Sequence, residues 1–64
     1  MTPTPTPHEI LAAREASGLT QTQAAEVLGY TLSTWQKWEA GTRTMRRVLL
    51  DIFRLETRAA ENSN

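Results

Sequence analysis

The sequence has no cysteine and a single histidine among its 64 residues. Disulfide bonds are therefore excluded, and so is a zinc site built from cysteine and histidine. No stretch of about 18 apolar residues is present, so no membrane-spanning helix is expected. The N-terminus also lacks the basic and then apolar segments of a secretory signal. We expect a cytoplasmic protein that uses no metal or other cofactor.

An excess of charge of one sign is also missing, because seven basic and seven acidic residues give a net charge of zero. A neutral chain argues mildly against nucleic-acid binding. The charges are unevenly distributed, however, since residues 37–47 hold four basic residues and one acidic residue. A local basic segment is what contact with phosphate groups requires, whatever the total charge.

The stretch of residues 19–41 predicts two short helices joined by a turn. Thr20 followed by Gln23 is the pattern of a capping box, in which each side chain satisfies a free backbone N–H. Gly29 can take the left-handed conformation that ends the first of these helices. Thr31 can cap the second.

Two helices this short cannot each form a core, but they can pack across each other at a steep angle. Ala25 supplies the small residue needed where the two axes cross. Trp35 and Trp38 share one face of the second helix and are predicted to be buried. The opposite face is then free to meet a partner, and this arrangement is a helix-turn-helix. The free face carries Leu32, Ser33, Gln36 and Lys37.

These residues resemble the phage-repressor and Cro family, the XRE-type helix-turn-helix proteins. The similarity extends over about residues 8–56 and implies an all-α fold like that of lambda repressor. We therefore expect a compact four-helix bundle with a central helix-turn-helix and a longer C-terminal helix. The similarity lies in Gly18-Leu-Thr-Gln, Ala24-Ala, Leu28-Gly and Ser33-Thr-Trp-Gln-Lys-Trp-Glu-Ala-Gly41.

The resemblance implies that the second helix of this unit reads base edges in double-stranded DNA. It places base contacts at Leu32, Ser33 and Lys37, and Gln36 can add one if it faces the groove. Lysine suits guanine, serine bonds to many bases, and leucine can pack only on a thymine methyl group. Many relatives carry Gln or Arg in this turn, so we expect moderate specificity from one monomer. The alternative is a polar face that is merely solvated.

Contacts to the DNA backbone are expected at the start of the first helix of the unit, in the first turn of the second helix and in the basic segment. Similar family members use the glutamine at the position of Gln21 for this purpose. Tyr30 either reaches a phosphate through its hydroxyl group or covers the hinge. The predicted phosphate-binding residues are Gln21, Thr31, Thr34, Arg43, Arg46 and Arg47.

The family pattern also implies an ion pair between Arg14 and Glu39, which would orient the first helix against the end of the third. The alternative is that Arg14 is a surface charge.

Thr6, Pro7 and Glu9 form a strong helix start, so the domain is predicted to span residues 6–58.

The chain ends are predicted to lie outside the packed domain. The Thr-Pro repeat of residues 1–5 predicts a disordered, solvated arm. As an alternative it could lie in the minor groove, although it carries no Lys or Arg. Residues 59–64 are predicted to be a frayed tail.

The last helix is predicted over residues 45–58, with an apolar arc wider than one core-facing stripe. We expect one stripe to face the core and the other to form a homodimer interface, unless the arm or tail covers it. The stripe assigned to the core carries Met45, Val48, Leu49, Ile52 and Leu55. The stripe assigned to the dimer interface carries Leu50, Phe53 and Thr57.

The sequence therefore predicts a transcriptional regulator of phage or mobile-element type. We expect a homodimeric repressor that binds an inverted-repeat operator and its own promoter, without a small-molecule ligand. No catalytic constellation accompanies His8, so an enzyme is not expected. The alternative is a protein-interaction or antitoxin-like module that keeps the fold with little specific DNA binding.

Overall fold

Four helices follow one another along the chain. The computed structural model describes residues 3–62, and of residues 59–62 it describes the backbone only. Within this range there is no strand, and the predicted all-α architecture is confirmed. None of these helices is both long and apolar enough to cross a membrane. The helices are α1 (Pro7–Ser17), α2 (Gln21–Val27), α3 (Leu32–Ala40) and α4 (Arg47–Asn62).

The first three helices begin where their capping residues predict. The Thr20 hydroxyl accepts a hydrogen bond from the Gln23 backbone N–H at 3.1 Å, and the Thr20 N–H donates to Gln23 Oε1 at 3.0 Å. Thr6 and Glu9 form the same reciprocal box at the start of α1. The Thr31 side chain accepts from the backbone of the third helical residue of α3. These bonds satisfy donors that the first turn of a helix leaves free.

The last helix differs from its predicted bounds at both ends. It begins at Arg47, two residues after the predicted start, and it continues to Asn62, four residues beyond the predicted end. The predicted frayed tail of residues 59–64 is therefore helical as far as Asn62. Ser63 and Asn64 lie outside the described residues.

The core is built around two tryptophan rings from α3, as predicted. Trp35 is fully buried, and its ring centroid lies 5.6 Å from that of Trp38 and 5.1 Å from that of Phe53. Such tilted and edge-on contacts are favourable between aromatic rings. The buried apolar residues are Ile10, Ala13, Ala24, Ala25, Trp35, Trp38, Met45, Leu50 and Phe53.

The two apolar stripes of the last helix are largely the reverse of those predicted, although Met45 is buried and Leu49 packs against the core, as predicted. Leu50 and Phe53 are both 0% exposed, so the dimer interface assigned to them is wrong. Thr57 is half-buried beside them, and its hydroxyl donates to the Phe53 carbonyl at 2.9 Å. The contact between Phe53 and Trp35 explains this orientation, because the largest apolar ring of α4 then completes the aromatic core. The outer face carries Val48, Ile52 and Leu55.

The N-terminal segment is attached to the start of α4, so the arm that was predicted to be disordered and solvated is, among residues 3–5, exposed only at Pro3 and Thr4. Pro5 is buried. Arg47 Nε donates to the Pro3 carbonyl at 3.0 Å, and Arg47 Nη1 lies 3.0 Å from Glu9 Oε2. Arg47 therefore links the segment and α1 to α4. Residues 1 and 2 of the predicted arm lie outside the described residues.

Candidate nucleic-acid interface

A tight turn joins α2 to α3. Gly29 has φ of 75°, a left-handed conformation that glycine adopts without a steric penalty. The Tyr30 backbone N–H donates to the Ala25 carbonyl at 2.9 Å, which closes the end of α2. Ala25 is buried at 1% exposure, in agreement with its predicted place as the small residue between the helices. The segment is a helix-turn-helix in which the turn fixes where α3 begins.

The outward face of α3 carries all four predicted base-reading residues. Leu32, Ser33, Gln36 and Lys37 are exposed, whereas the inward Trp35 and Trp38 are buried. Among the described residues, the side chains of Ser33, Gln36 and Lys37 form no hydrogen bond or salt bridge. Their polar groups are therefore available to a ligand. The tryptophan rings hold the helix in place behind them.

The Glu39 carboxylate connects three helices behind this face. Arg14 Nε, from α1, lies 2.6 Å from Glu39 Oε2, and Arg14 Nη2 donates to Oε1 at 3.4 Å. Gln21 Nε2, from α2, donates to Oε1 at 3.0 Å, and Trp35 Nε1 donates to Oε2 at 2.6 Å. Both predicted partners of the ion pair thus meet in the structure. The carboxylate is satisfied on both oxygens, which burial of a charge requires.

The surroundings of Glu39 keep it ionised. Burial alone would raise its pKa, but the hydrogen bonds from Arg14, Trp35 and Gln21 outweigh burial and lower the pKa below the ordinary 4.5. The hydrogen bond to Glu39 likewise raises the pKa of Arg14, so this guanidinium stays charged. The two charges hold α1 and α3 together, and Gln21 brings in α2.

The contacts of Gln21 and Trp35 with Glu39 were not predicted from the sequence. One signal for the second contact was available, because Trp35 and Glu39 are four residues apart and therefore adjacent on a helix. Nothing in the spacing indicated the contact of Gln21. The Gln21 side chain is half-buried at the first position of α2. Its bond to Glu39 uses one amide hydrogen and leaves the other and the amide oxygen for a ligand.

Apart from Gln21, the predicted phosphate-binding residues fall into three groups. Arg43 and Arg46 are exposed between α3 and α4, and neither side chain is bonded to another described residue. The hydroxyl groups of Thr31 and Thr34 lie 3.1 Å apart at the start of α3, where they already serve the cap. Arg47 is bound to Pro3 and Glu9 instead, so we remove it from the predicted set.

The ring of Tyr30 covers Trp38 next to the turn. Its ring centroid lies 5.0 Å from that of Trp38, and the side chain is 40% exposed. This packing agrees with the predicted role of covering the hinge, and contact of the Tyr30 hydroxyl group with a phosphate stays a prediction. Within the described part of the chain, no three His, Asp or Glu side chains are grouped to hold a metal ion.

The comparison with protein families agrees with this geometry. A family model described as a helix-turn-helix domain matches residues 8–56, which is more than half of the chain. The match begins within α1, contains all of α2 and α3, and ends within α4. A separate search of curated proteins found no match. The chain belongs to the helix-turn-helix domain family, which points to binding of DNA.

Proposed function

We propose that this protein is a sequence-specific DNA-binding transcriptional regulator that inserts α3 into the major groove. The observation that carries the proposal is the outward face of α3, where Ser33, Gln36 and Lys37 present unbonded polar groups in front of two buried tryptophans. A major groove about 12 Å wide accepts one helix. Side chains on such a face reach base edges without refolding of the domain.

The chemistry of each side chain suggests a role in reading bases. Lys37 can donate to O6 and N7 of guanine, and Gln36 can make two bonds to adenine. Ser33 has a hydroxyl that both donates and accepts, so it discriminates less. Leu32 offers only apolar contact, which fits a thymine methyl group.

A second set of residues would fix the protein on the DNA backbone. Arg43 and Arg46 follow α3 directly and carry free positive charge. Gln21 is oriented by Glu39 and keeps one amide hydrogen for a phosphate oxygen. Such contacts set register and orientation but carry no sequence information themselves. These local contacts would supply the attraction to phosphate groups that a chain of zero net charge lacks overall.

We further propose that the regulator is a homodimeric repressor of the phage-repressor and Cro type, acting on its own promoter. A two-fold dimer would read an inverted repeat whose half-sites lie about 34 Å apart, one turn of DNA. Repression requires only that the bound protein occupy DNA that polymerase needs. The residue pattern of the XRE-type proteins supports this assignment, as does the basic segment next to α3.

A protein-interaction module is the second candidate. The exposed apolar side chains near the turn favour it, since Leu32 is 39% and Val27 is 37% exposed. The two functions differ in their response to salt. Binding through several phosphate contacts weakens steeply as salt rises, because counterions are released from DNA on binding. An apolar contact between proteins does not weaken in this way.

Selection from a random double-stranded DNA library tests the proposed function. We expect the wild-type protein to enrich an inverted repeat and the double variant Ser33→Ala/Lys37→Ala to enrich none. Arg54→Ala is the matched control, because it removes one positive charge from the exposed surface of α4. Failure of the wild type to enrich any sequence at low salt would contradict DNA recognition and favour the protein-interaction module.

A further inference from the structure

An apolar stripe runs along the outer face of α4. It consists of Val48, Ile52 and Leu55, which are 54%, 40% and 64% exposed. Their spacing of four and three residues places them on one side of the helix, opposite the buried Leu50 and Phe53. Contiguous apolar surface of this kind usually marks a contact. The same spacing forms the seam between two packed helices.

Charged residues at the two edges of the stripe distinguish between possible partner orientations. Asp51 and Arg58 lie along one edge, and Glu56 lies along the other. Asp51 and Arg58 are exposed, and within the described residues neither forms a salt bridge. Residues in these flanking positions set the partner and direction of helix pairs.

We propose that a second copy of this chain covers the stripe, with the two α4 helices antiparallel and the two-fold axis between Ile52 and Leu55. This proposal adds an interface to the proposed homodimeric regulator. It rests on that proposed function for the identity of the partner, a second copy of the chain. In the antiparallel pair like edges meet, so Asp51 of each copy faces Arg58 of the other. In a parallel pair opposite edges meet, and Asp51 would face Glu56 of the second copy. The charges therefore favour the antiparallel pair.

Disulfide cross-linking measures this orientation directly, because the chain has no cysteine of its own. In the antiparallel pair the two copies of residue 55 are offset by about 5 Å along the axis, and the two copies of residue 48 by about 16 Å. A disulfide needs Cα atoms closer than about 7 Å. Under mild oxidation we expect Leu55→Cys to form covalent dimers and Val48→Cys to remain unlinked. Efficient linking of both variants would indicate a parallel pair and overturn the proposal.

Sedimentation of the full chain tests whether the apolar stripe drives association. We expect Leu55→Glu to weaken dimerisation by roughly tenfold or more, because a leucine otherwise buried in the dimer becomes charged. Val27→Glu, at an exposed apolar site on α2, is the control and should leave dimerisation unchanged. Circular dichroism would verify that both variants are folded. Equal dimerisation of Leu55→Glu and wild type would exclude the stripe as the interface.

Charge reversal supplies an independent signature. Asp51→Arg should weaken the antiparallel dimer, and the added change Arg58→Asp should restore it. In a parallel dimer Asp51→Arg would strengthen association instead, through Glu56. DNA selection on the same samples separates this proposal from the proposed function. Wild-type monomers that still select a sequence would overturn the interface alone, whereas dimers that select none would overturn DNA recognition alone.

Discussion

Glu39 accepts a hydrogen bond at 2.6 Å from the indole nitrogen of Trp35, one turn earlier in α3. Trp35 is the largest fully buried side chain of the core, and the side chain of Glu39 is 11% exposed. The bond satisfies the one polar atom of the tryptophan side chain. It also joins the apolar core to the Glu39 carboxylate, which is bonded to Arg14 of α1 and to Gln21 of α2. The position of α3, and with it the proposed DNA-reading face, depends on this junction.

Glu39→Gln should therefore destabilise the domain. The substitution keeps the size of the side chain but leaves the Arg14 guanidinium without its carboxylate. Removal of one partner from a buried pair is costly, and this pair is largely but not fully buried, so we expect a loss of about 1–3 kcal/mol. Urea denaturation followed by circular dichroism measures the free energy of unfolding. Glu26→Gln, at an exposed site on α2, is the control, and an equal loss in both variants would contradict the role of Glu39.

The lowered pKa of Glu39 predicts how stability depends on pH. A carboxyl group whose pKa is lower in the folded than in the unfolded state stabilises the fold above the unfolded value. The contribution of Glu39 should thus be complete above about pH 4.5 and should be lost as pH falls through its folded value. The difference in unfolding free energy between wild type and Glu39→Gln measures it. We expect that difference to shrink below pH 4.5, and a constant difference from pH 7 to pH 3 would contradict the prediction.

The sequence predicted the starts of α1, α2 and α3 well because their causes are local. Thr6, Thr20 and Thr31 each bond to a residue three positions away, so the evidence lies within one turn of chain. The left-handed conformation of Gly29 is local in the same sense, because it depends on the type of residue at that position. The helix-turn-helix was therefore predictable, together with the four residues on the outer face of α3.

The face of α4 was not predictable in this way. Periodicity shows that α4 has apolar residues around more than half of its circumference, but it does not show which side faces inward. The contact of Phe53 with Trp35 makes that choice, between residues that lie 18 positions apart in the chain. The attachment of Arg47 to Pro3 is equally non-local, which explains why Arg47 was predicted to bind phosphate.

Arg47→Ala should release the N-terminal segment from α4. The variant loses the bond to the Pro3 carbonyl and the salt bridge to Glu9, which is the main reason that the pKa of Glu9 is lowered. We expect a lower melting temperature and faster backbone motion at residues 3–6, measured by NMR relaxation. Arg46→Ala removes the same charge from the neighbouring exposed residue and should leave the segment in place. Similar relaxation in both variants would show that Arg47 does not hold the segment.

Lys37→Ala and Arg43→Ala should weaken DNA binding in two different ways. Lys37 lies on the outward face of α3, so its loss should relax discrimination at one base pair by about 1–3 kcal/mol. Arg43 lies beyond the end of α3, and its loss should weaken binding to all sequences and reduce the salt slope by about one. Binding measured on a set of single-base operator variants at several salt concentrations separates the two effects. Because both substitutions remove one positive charge, the same response from both would mean that Lys37 contacts phosphate and that other residues read the bases.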